Sequence, residues 1–328
     1  KNRICDQERE DKLEKNKDEL YDKVFNKHNP PKETKVLVSS LDGANVMLRE
    51  PGKRKGAKPK KPIDEKKIDE NKTCYKNAMA GTISFYDLRK KSEKHPKRLE
   101  TLQIARMPED KAITFKSDYE RVLSSVQSKL NEDIVRILLL DGARGLWFYV
   151  ESNPIYIDFE KAVDFYHVTE HLSNAAVIIF GKSSSKADAW YKKYRQALLE
   201  YESAPTAIVR SIEYYLKDMK KGERKKDLET ELTFFRRNKE RMPYPRFLKN
   251  GWPIGSGPVE AACKSLIKTR LCRSGMRWSR KGGQDILYLR AFVKSNMWNE
   301  FWGTYQKQRT NYQLQIISAS AEELEEAA

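Results

Sequence analysis

The stretch Ile134 to Leu140, apolar but for Arg136, ends abruptly in Asp141-Gly142-Ala143. A run of branched and aliphatic residues with no polar alternation is the signature of a strand buried on both faces. Such strands sit at the centre of layered α/β domains, with helices above and below. An acid placed directly after one lies at the rim of the sheet, where α/β folds bind ligands. The same tripeptide, Asp-Gly-Ala, recurs at 42–44 behind a second β-rich stretch, KVLVSSLDGANVML. The Asp42-Gly43 pair is expected to break that strand, and a single such acid reads more simply as a turn that needs no function. Two with one pattern in a basic chain make a shared site as good a reading as two plain turns.

The rest of the chain is organised around these strands. NAMAGTISFYD reads as a further strand and residues 111–131 as a helix with Tyr119, Val122, Leu123 and Val126 on one face. IYIDFEKAVDFYH fits another strand, ending near Asp164. Beyond it the patterns turn helical up to Lys249. A loop, GWPIGSGP, then opens a helix with Val259, Ala262, Cys263, Leu266, Ile267 and Leu271 as its apolar stripe. Gly257 is the expected N-cap, with Pro258 at the first helical position. The expected organisation is a charged N-terminal segment over 1–34, either a helix of mixed charge or simply an arm, a catalytic α/β core over 35–180, a helical insertion over 181–250, the second part of the core over 251–303, and a tail over 304–328. No repeat is evident.

Charge narrows the class of partner. The 64 Lys and Arg against 47 Asp and Glu leave a formal net charge of +17, which favours a polyanion over a neutral metabolite. From Ala261 to Gln284 there is no acid, while Lys264, Lys268, Arg270, Arg273, Arg277, Arg280 and Lys281 follow one another with Trp278 among them. A basic run is often only a solvated face, but this one begins next to Glu260 and suits phosphate contact. A second basic stretch, Lys53 to Lys72, reads as a loop, and its 53–61 part is a second candidate for DNA contact, though a basic loop is often only a nonspecific tether. No apolar run approaches the ~20 residues that cross a bilayer. The 4 Cys are too few for a disulfide framework, and a reducing compartment is expected.

Glu260 lies off the apolar stripe, where it can act as an ordinary helix-start acid or as a third site carboxylate. Clustered carboxylates repel, and one protonates unless cations sit between them. Two Mg²⁺ ions spaced about 3.5–4 Å apart relieve that repulsion and perform phosphodiester chemistry. Two other patterns compete weakly. His167-Val168-Thr169-Glu170-His171 fits the H-x-x-E-H of inverted zincins, but explains neither the charge nor the paired Asp-Gly-Ala. Phe180-Gly181-Lys182-Ser183 resembles the end of a P-loop, yet the position needing glycine carries Ala176.

Taken together, VSSLDGANVM, LLLDGARGLW, DFYHVTEHL and GWPIGSGPVEAACKSLIKTRLCRSGMRWSRKGG resemble the DDE transposases of bacterial insertion sequences of the Kra type, relatives of the Mutator-like transposases. The resemblance spans roughly residues 35 to 303 and is most specific in the IGSGPVEAACK and GMRWS stretches. It implies an RNase H-like fold interrupted by an all-α insertion, and a metal-binding catalytic triad of Asp42, Asp141 and Glu260 holding two Mg²⁺, with Mn²⁺ able to substitute. The family's acid-or-Cys, two residues, His pattern falls on Asp164-Phe165-Tyr166-His167. Asp164 and His167 would therefore shape the site around the scissile strand, with Asp158 as a competing acid in the same spacer. The implied function is cleavage at transposon ends and strand transfer into target DNA, by a homodimer or larger assembly in a bacterial cytoplasm, associated with the nucleoid. A structure-selective nuclease, or a DNA-binding descendant without catalysis, are the alternatives. Family members also carry an end-binding region, which the stretch ahead of Asp42 is too short to hold.

Overall fold

The computed structural model describes residues 16–49, 75–90, 93 and 95–311. The basic loop at 53–72, the first part of the N-terminal arm and the end of the tail lie outside the described residues. Five strands form one mixed sheet: β1 (Val36–Met47), β2 (Tyr75–Tyr86), β3 (Arg98–Arg106), β4 (Val135–Leu140) and β5 (Glu160–Val163). Their order is β3-β2-β1-β4-β5. β1 to β3 pair antiparallel, while β4 and β5 run parallel to β1. A five-stranded mixed sheet in this order, flanked by helices, is consistent with an RNase H-like fold.

β4 is an interior strand, between β1 and β5, and its last four residues are buried, as the apolar run predicts. β1 corrects the expectation of a break at Asp42-Gly43. It continues to Met47, because β2 pairs with it along its whole length, Asp42 opposite Ala80. The parallel partner β4 pairs only as far as Ser39 opposite Leu138. Asp42 is therefore at a rim on one side of its strand and in a ladder on the other. β3 is not evident in the sequence, since its charged and apolar residues alternate irregularly along RLETLQIAR.

The two faces of the sheet bury different partners, following the two-residue alternation of strands. On one face Leu37, Leu41, Ile83, Phe85, Leu138 and Leu140 pack against α2 (Ile113–Gln127), whose Tyr119 hydroxyl bonds Ser39 Oγ at 2.7 Å and donates to the Thr82 carbonyl at 2.8 Å. The helix at residues 16–25, α1, packs into the same layer. Leu20, Tyr21, Val24 and Phe25 are buried, and Tyr21 lies against Phe25, Tyr288 and Phe292. The described part of the expected charged arm is thus a core helix. Its charges are used in an ion network: Asp118, buried on α2, meets Arg106 and Arg121 at 2.5 Å each, and Arg121 reaches Asp22 at 3.2 Å. Residues 298–311 are helical as well, so the described part of the expected tail is ordered.

After β4 come α3 (Arg144–Glu151), β5, and then four helices that pack on one another: α4 (Phe165–Phe180), α5 (Ser185–Glu200), α6 (Ala204–Lys217) and α7 (Glu223–Asn238). Their buried faces join the first core layer through residues such as Leu172, Trp190, Ile208, Leu228 and Phe235. The opposite face of the sheet is covered in two patches. Val36, Val38, Ile137 and Leu139 pack under Phe247 of α8 (Tyr244–Lys249), and Ala44, Val46, Ala78 and Ala80 pack under the helix that carries Glu260. The rim of acids falls between these two patches.

Candidate active site

Strand register brings the acids together. In the β1–β4 pair Ser39 faces Leu138, so three residues further along both strands Asp42 stands beside Asp141. In the β4–β5 pair Leu140 faces Val163, so the next residues are Asp141 and Asp164. In-register neighbours on parallel strands project to the same face. The three carboxylates therefore form one row, on the face where Ile137, Leu139 and Ala162 are buried.

Glu260 approaches from above that face. It lies on α9 (Gly257–Ala262), which packs on β1 and β2. Ser256, and not Gly257, is the N-cap, with Gly257 and Pro258 as the first two helical residues. The stripe Val259, Ala262, Cys263, Leu266, Ile267 and Leu271 is buried as expected. The helix is not uniformly α, however. Cys263–Lys268 is a π-helical segment, followed by α10 (Thr269–Leu271), and the Thr269 hydroxyl donates to the Lys264 carbonyl at 2.7 Å. π segments of this kind recur at functional sites.

Burial and neighbouring charge act on two of these carboxyls in the same direction. Burial pushes the Asp141 carboxyl above the ordinary carboxylate range; the Ala143 N–H, 2.9 Å away, opposes this, and the charges of Asp42 and Asp164 add to it. Burial likewise raises Glu260, with the charges of Asp164 and Asp42 adding and His167 opposing. Asp42 accepts the Gly43 N–H at 2.6 Å. Among the described residues, no three Asp, Glu, His or Cys side chains are arranged to hold one metal ion as they stand. The chemistry of the donors nonetheless fits a hard divalent cation. Asp42, Asp141 and Glu260 offer only oxygen, and their repulsion is what such a cation neutralises.

The remaining expected site residues divide. Lys264, Lys268, Arg270, Arg273 and Arg277 are all exposed and follow Glu260 along the chain. Trp278 turns inward: its ring packs against the apolar cluster beneath α9, and its backbone pairs with Met47 and Arg49. It ties this segment to β1 and is only partly exposed. Asp164 is also not a DNA contact. It is fully buried, and both its oxygens accept backbone N–H groups, from His167 at 2.9 Å and from Ser256. His167 is partly exposed above Asp141, with Nδ1 3.3 Å from Glu170. Asp158 lies at the opposite end of β5 from Asp164, exposed, and is no part of the row.

The H-x-x-E-H pattern does not make a zinc site. His171 Nδ1 is 2.6 Å from Glu231, and its ring stacks on Phe234, whereas His167 turns to Glu170. Both histidines instead line a cleft of about 420 Å³ between the Asp141 rim and α7, together with Phe234 and Arg237. Arg237 donates to the Gly142 carbonyl at 2.7 Å. These α7 residues have no signal in the sequence, where they are part of an unremarkable FFRRN. A larger hollow, about 570 Å³, between Arg89 and Arg246 shares no residue with the rim.

No family model matches the chain, and no curated protein matches it. Among solved structures it is similar to a chain of the Drosophila P element transposase strand transfer complex, at 11% identity and a TM-score of 0.27, covering 89% of this chain and 70% of that one. No helix among the described residues is long and apolar enough to cross a membrane.

Proposed function

We propose that the chain is a DNA transposase of the DDE type, cutting at transposon ends and joining the freed 3′-OH to target DNA. One observation supports this reading: Asp42 and Asp141 each lie three residues beyond the Ser39–Leu138 pair that ends the parallel β1–β4 ladder, and the charges of Asp42 and Asp164 bear on Glu260. The resemblance of the motif stretches to Kra-type transposases supports it independently, with the helices α5 to α7 in the role of an all-α insertion.

Asp42, Asp141 and Glu260 would hold two Mg²⁺, or Mn²⁺ in their place. When bound, these ions supply Lewis acidity on both sides of the phosphorus and lower the pKa of the attacking hydroxyl or water. The chain's own residues supply the rest. Asp141 is half-buried at the rim, which strengthens its field relative to open water. Lys264, Lys268, Arg270, Arg273 and Arg277 hold the phosphate backbone along the edge of α9, fixing the register of the strand without reading its sequence. His167, beside Asp141 and Glu260, offsets part of their negative charge when protonated. In cleavage, water adds to phosphorus and the P–O3′ bond breaks, leaving a 3′-OH and a 5′-phosphate. In transfer, that 3′-OH replaces water. Assembly as a dimer or larger on DNA would let one complex hold two ends.

The test is incubation with supercoiled plasmid carrying the sequences that flank its own gene, with Mg²⁺ or Mn²⁺. The expected products are nicks bearing 3′-OH and joined molecules. Nicking without joining would mean a nuclease. Binding without nicking would mean a non-catalytic DNA-binding protein.

A further inference from the structure

Asp164 does more than begin a helix. Its side chain caps α4 by accepting the His167 N–H at 2.9 Å. Its second oxygen, however, accepts the N–H of Ser256, 92 residues away and at the head of the helix that carries Glu260. Its own N–H donates to the Leu140 carbonyl at 2.8 Å, immediately before Asp141. The next residue repeats the connection, as Phe165 N–H donates to the Ile254 carbonyl at 3.0 Å. The Ser256 carbonyl in turn receives Val259 N–H at 2.9 Å and Glu260 N–H at 3.4 Å. A chain of bonds thus runs from the strand end bearing Asp141, through Asp164, to the backbone of Glu260.

The packing around it is close. A Cβ at Gly255 would come within 2.8 Å of Tyr166 Cε2 and 3.7 Å of Asp164 Oδ2, so this loop lies directly against the start of α4. Asp164 has no exposed surface, which removes it from contact with DNA.

We propose that Asp164 is a positioning residue, a buried latch that fastens the Gly251–Ser256 loop to the rim and so sets where Glu260 stands. This rests on Glu260 being an active-site carboxylate. An ordinary helix cap would need only the bond to His167. The bond to Ser256 satisfies the second buried oxygen and, by spanning 92 residues, also ties the two segments at a fixed separation.

Two substitutions isolate it. Asp164→Asn keeps a good N-cap, since the amide oxygen can still accept His167 N–H. Its NH2 group then faces Ser256 N–H, donor against donor, and the latch is lost. Ser256→Pro removes the same bond from the other side by deleting the N–H. The measurements are hydrogen exchange of the segment 251–262, and kcat and KM for plasmid nicking with Mg²⁺. In both variants, exchange across the segment should rise. Because small displacements of a reacting group are costly, kcat should fall by about tenfold or more with KM for DNA within about twofold. The double variant should be no worse than the worse single one, because both remove one bond. Unchanged exchange in Asp164→Asn, additive losses in the double variant, or a rise in KM alone would overturn the proposal. If the wild type does not nick DNA, the transposase reading fails, while exchange in the two variants still decides whether the latch exists.

Discussion

Gly142 is the residue at which the sheet rim and α7 touch, and replacing it with alanine should injure both fold and site. A Cβ there would come within 3.0 Å of Phe234 Cδ2 and 3.3 Å of Cζ, and closer still to Cε2. Ordinary contact begins near 3.4 Å, so the ring must retreat by at least about 0.4 Å, and further at its nearest atom. It has little room. On one side it stacks on His171 at a centroid distance of 3.5 Å, and on another it meets Phe235 edge-on at 5.4 Å. His171 is itself held by Glu231. Overpacking of this kind costs about 1–3 kcal/mol, which at roughly 2–4 °C per kcal/mol lowers the unfolding temperature by about 2–12 °C. Relief by shifting the Gly142 backbone instead would drag Asp141 with it and strain the Arg237 bond to the Gly142 carbonyl. Plasmid nicking should then fall by about 10²-fold, as expected for an ångström-scale misplacement. Thermal unfolding and nicking of Gly142→Ala, alone and combined with Phe234→Leu to make room, give the assay. The combination should recover most of both losses. An unfolding temperature and nicking rate equal to wild type in Gly142→Ala would refute the contact and the reasoning built on it.

Other outcomes follow from the same geometry. Neutralising Lys264, Lys268 and Arg270 should weaken binding to all DNA sequences and flatten the dependence of log K on log salt by about 0.9 per lost contact; an unchanged slope would take this edge off the DNA path. The carboxyls of Asp141 and Glu260 are raised in the folded protein, chiefly by burial. Their contribution to stability is therefore full below the ordinary carboxylate range and lost as pH rises through the raised values. In EDTA, Asp141→Asn should gain unfolding temperature relative to wild type as pH rises through that window, and Mg²⁺ should shrink the difference. Tyr21→Ala should destabilise the protein by about 3–5 kcal/mol, as for other large buried aromatics, since its ring is buried among Phe25, Tyr288 and Phe292; a loss under about 1 kcal/mol would make α1 a loosely attached arm.

What the sequence discloses of this molecule depends on whether a residue's surroundings are local. β4 and Asp141 are legible because a doubly buried strand is nearly all aliphatic and its end is marked by Asp-Gly. The stripe from Val259 to Leu271 is legible because helical spacing is a local property, but the π turn inside it leaves no mark. α1 is hidden by its charges, several of which are spent on Arg106, Arg121 and Tyr288 and not on solvent. Asp42-Gly43 misleads because a turn-forming pair sits inside a strand that β2 holds straight. Trp278 and Asp164 both suggest DNA contact by composition or motif, yet the fold turns each inward. Phe234 and Arg237 reach the rim only because α7 packs on α4. No pattern along the chain could reveal a neighbour created by tertiary packing.

The account stands on one claim, that Asp42, Asp141 and Glu260 form a site for divalent cations. Electron paramagnetic resonance of Mn²⁺ titrated into the protein bound to plasmid DNA tests it without relying on turnover. The account predicts two ions bound per chain in the wild type, displaced by Mg²⁺. It also predicts weaker or missing binding in Asp42→Asn, Asp141→Asn and Glu260→Gln, with DNA affinity unchanged or slightly higher in each. Equal Mn²⁺ binding in the wild type and all three variants would contradict it.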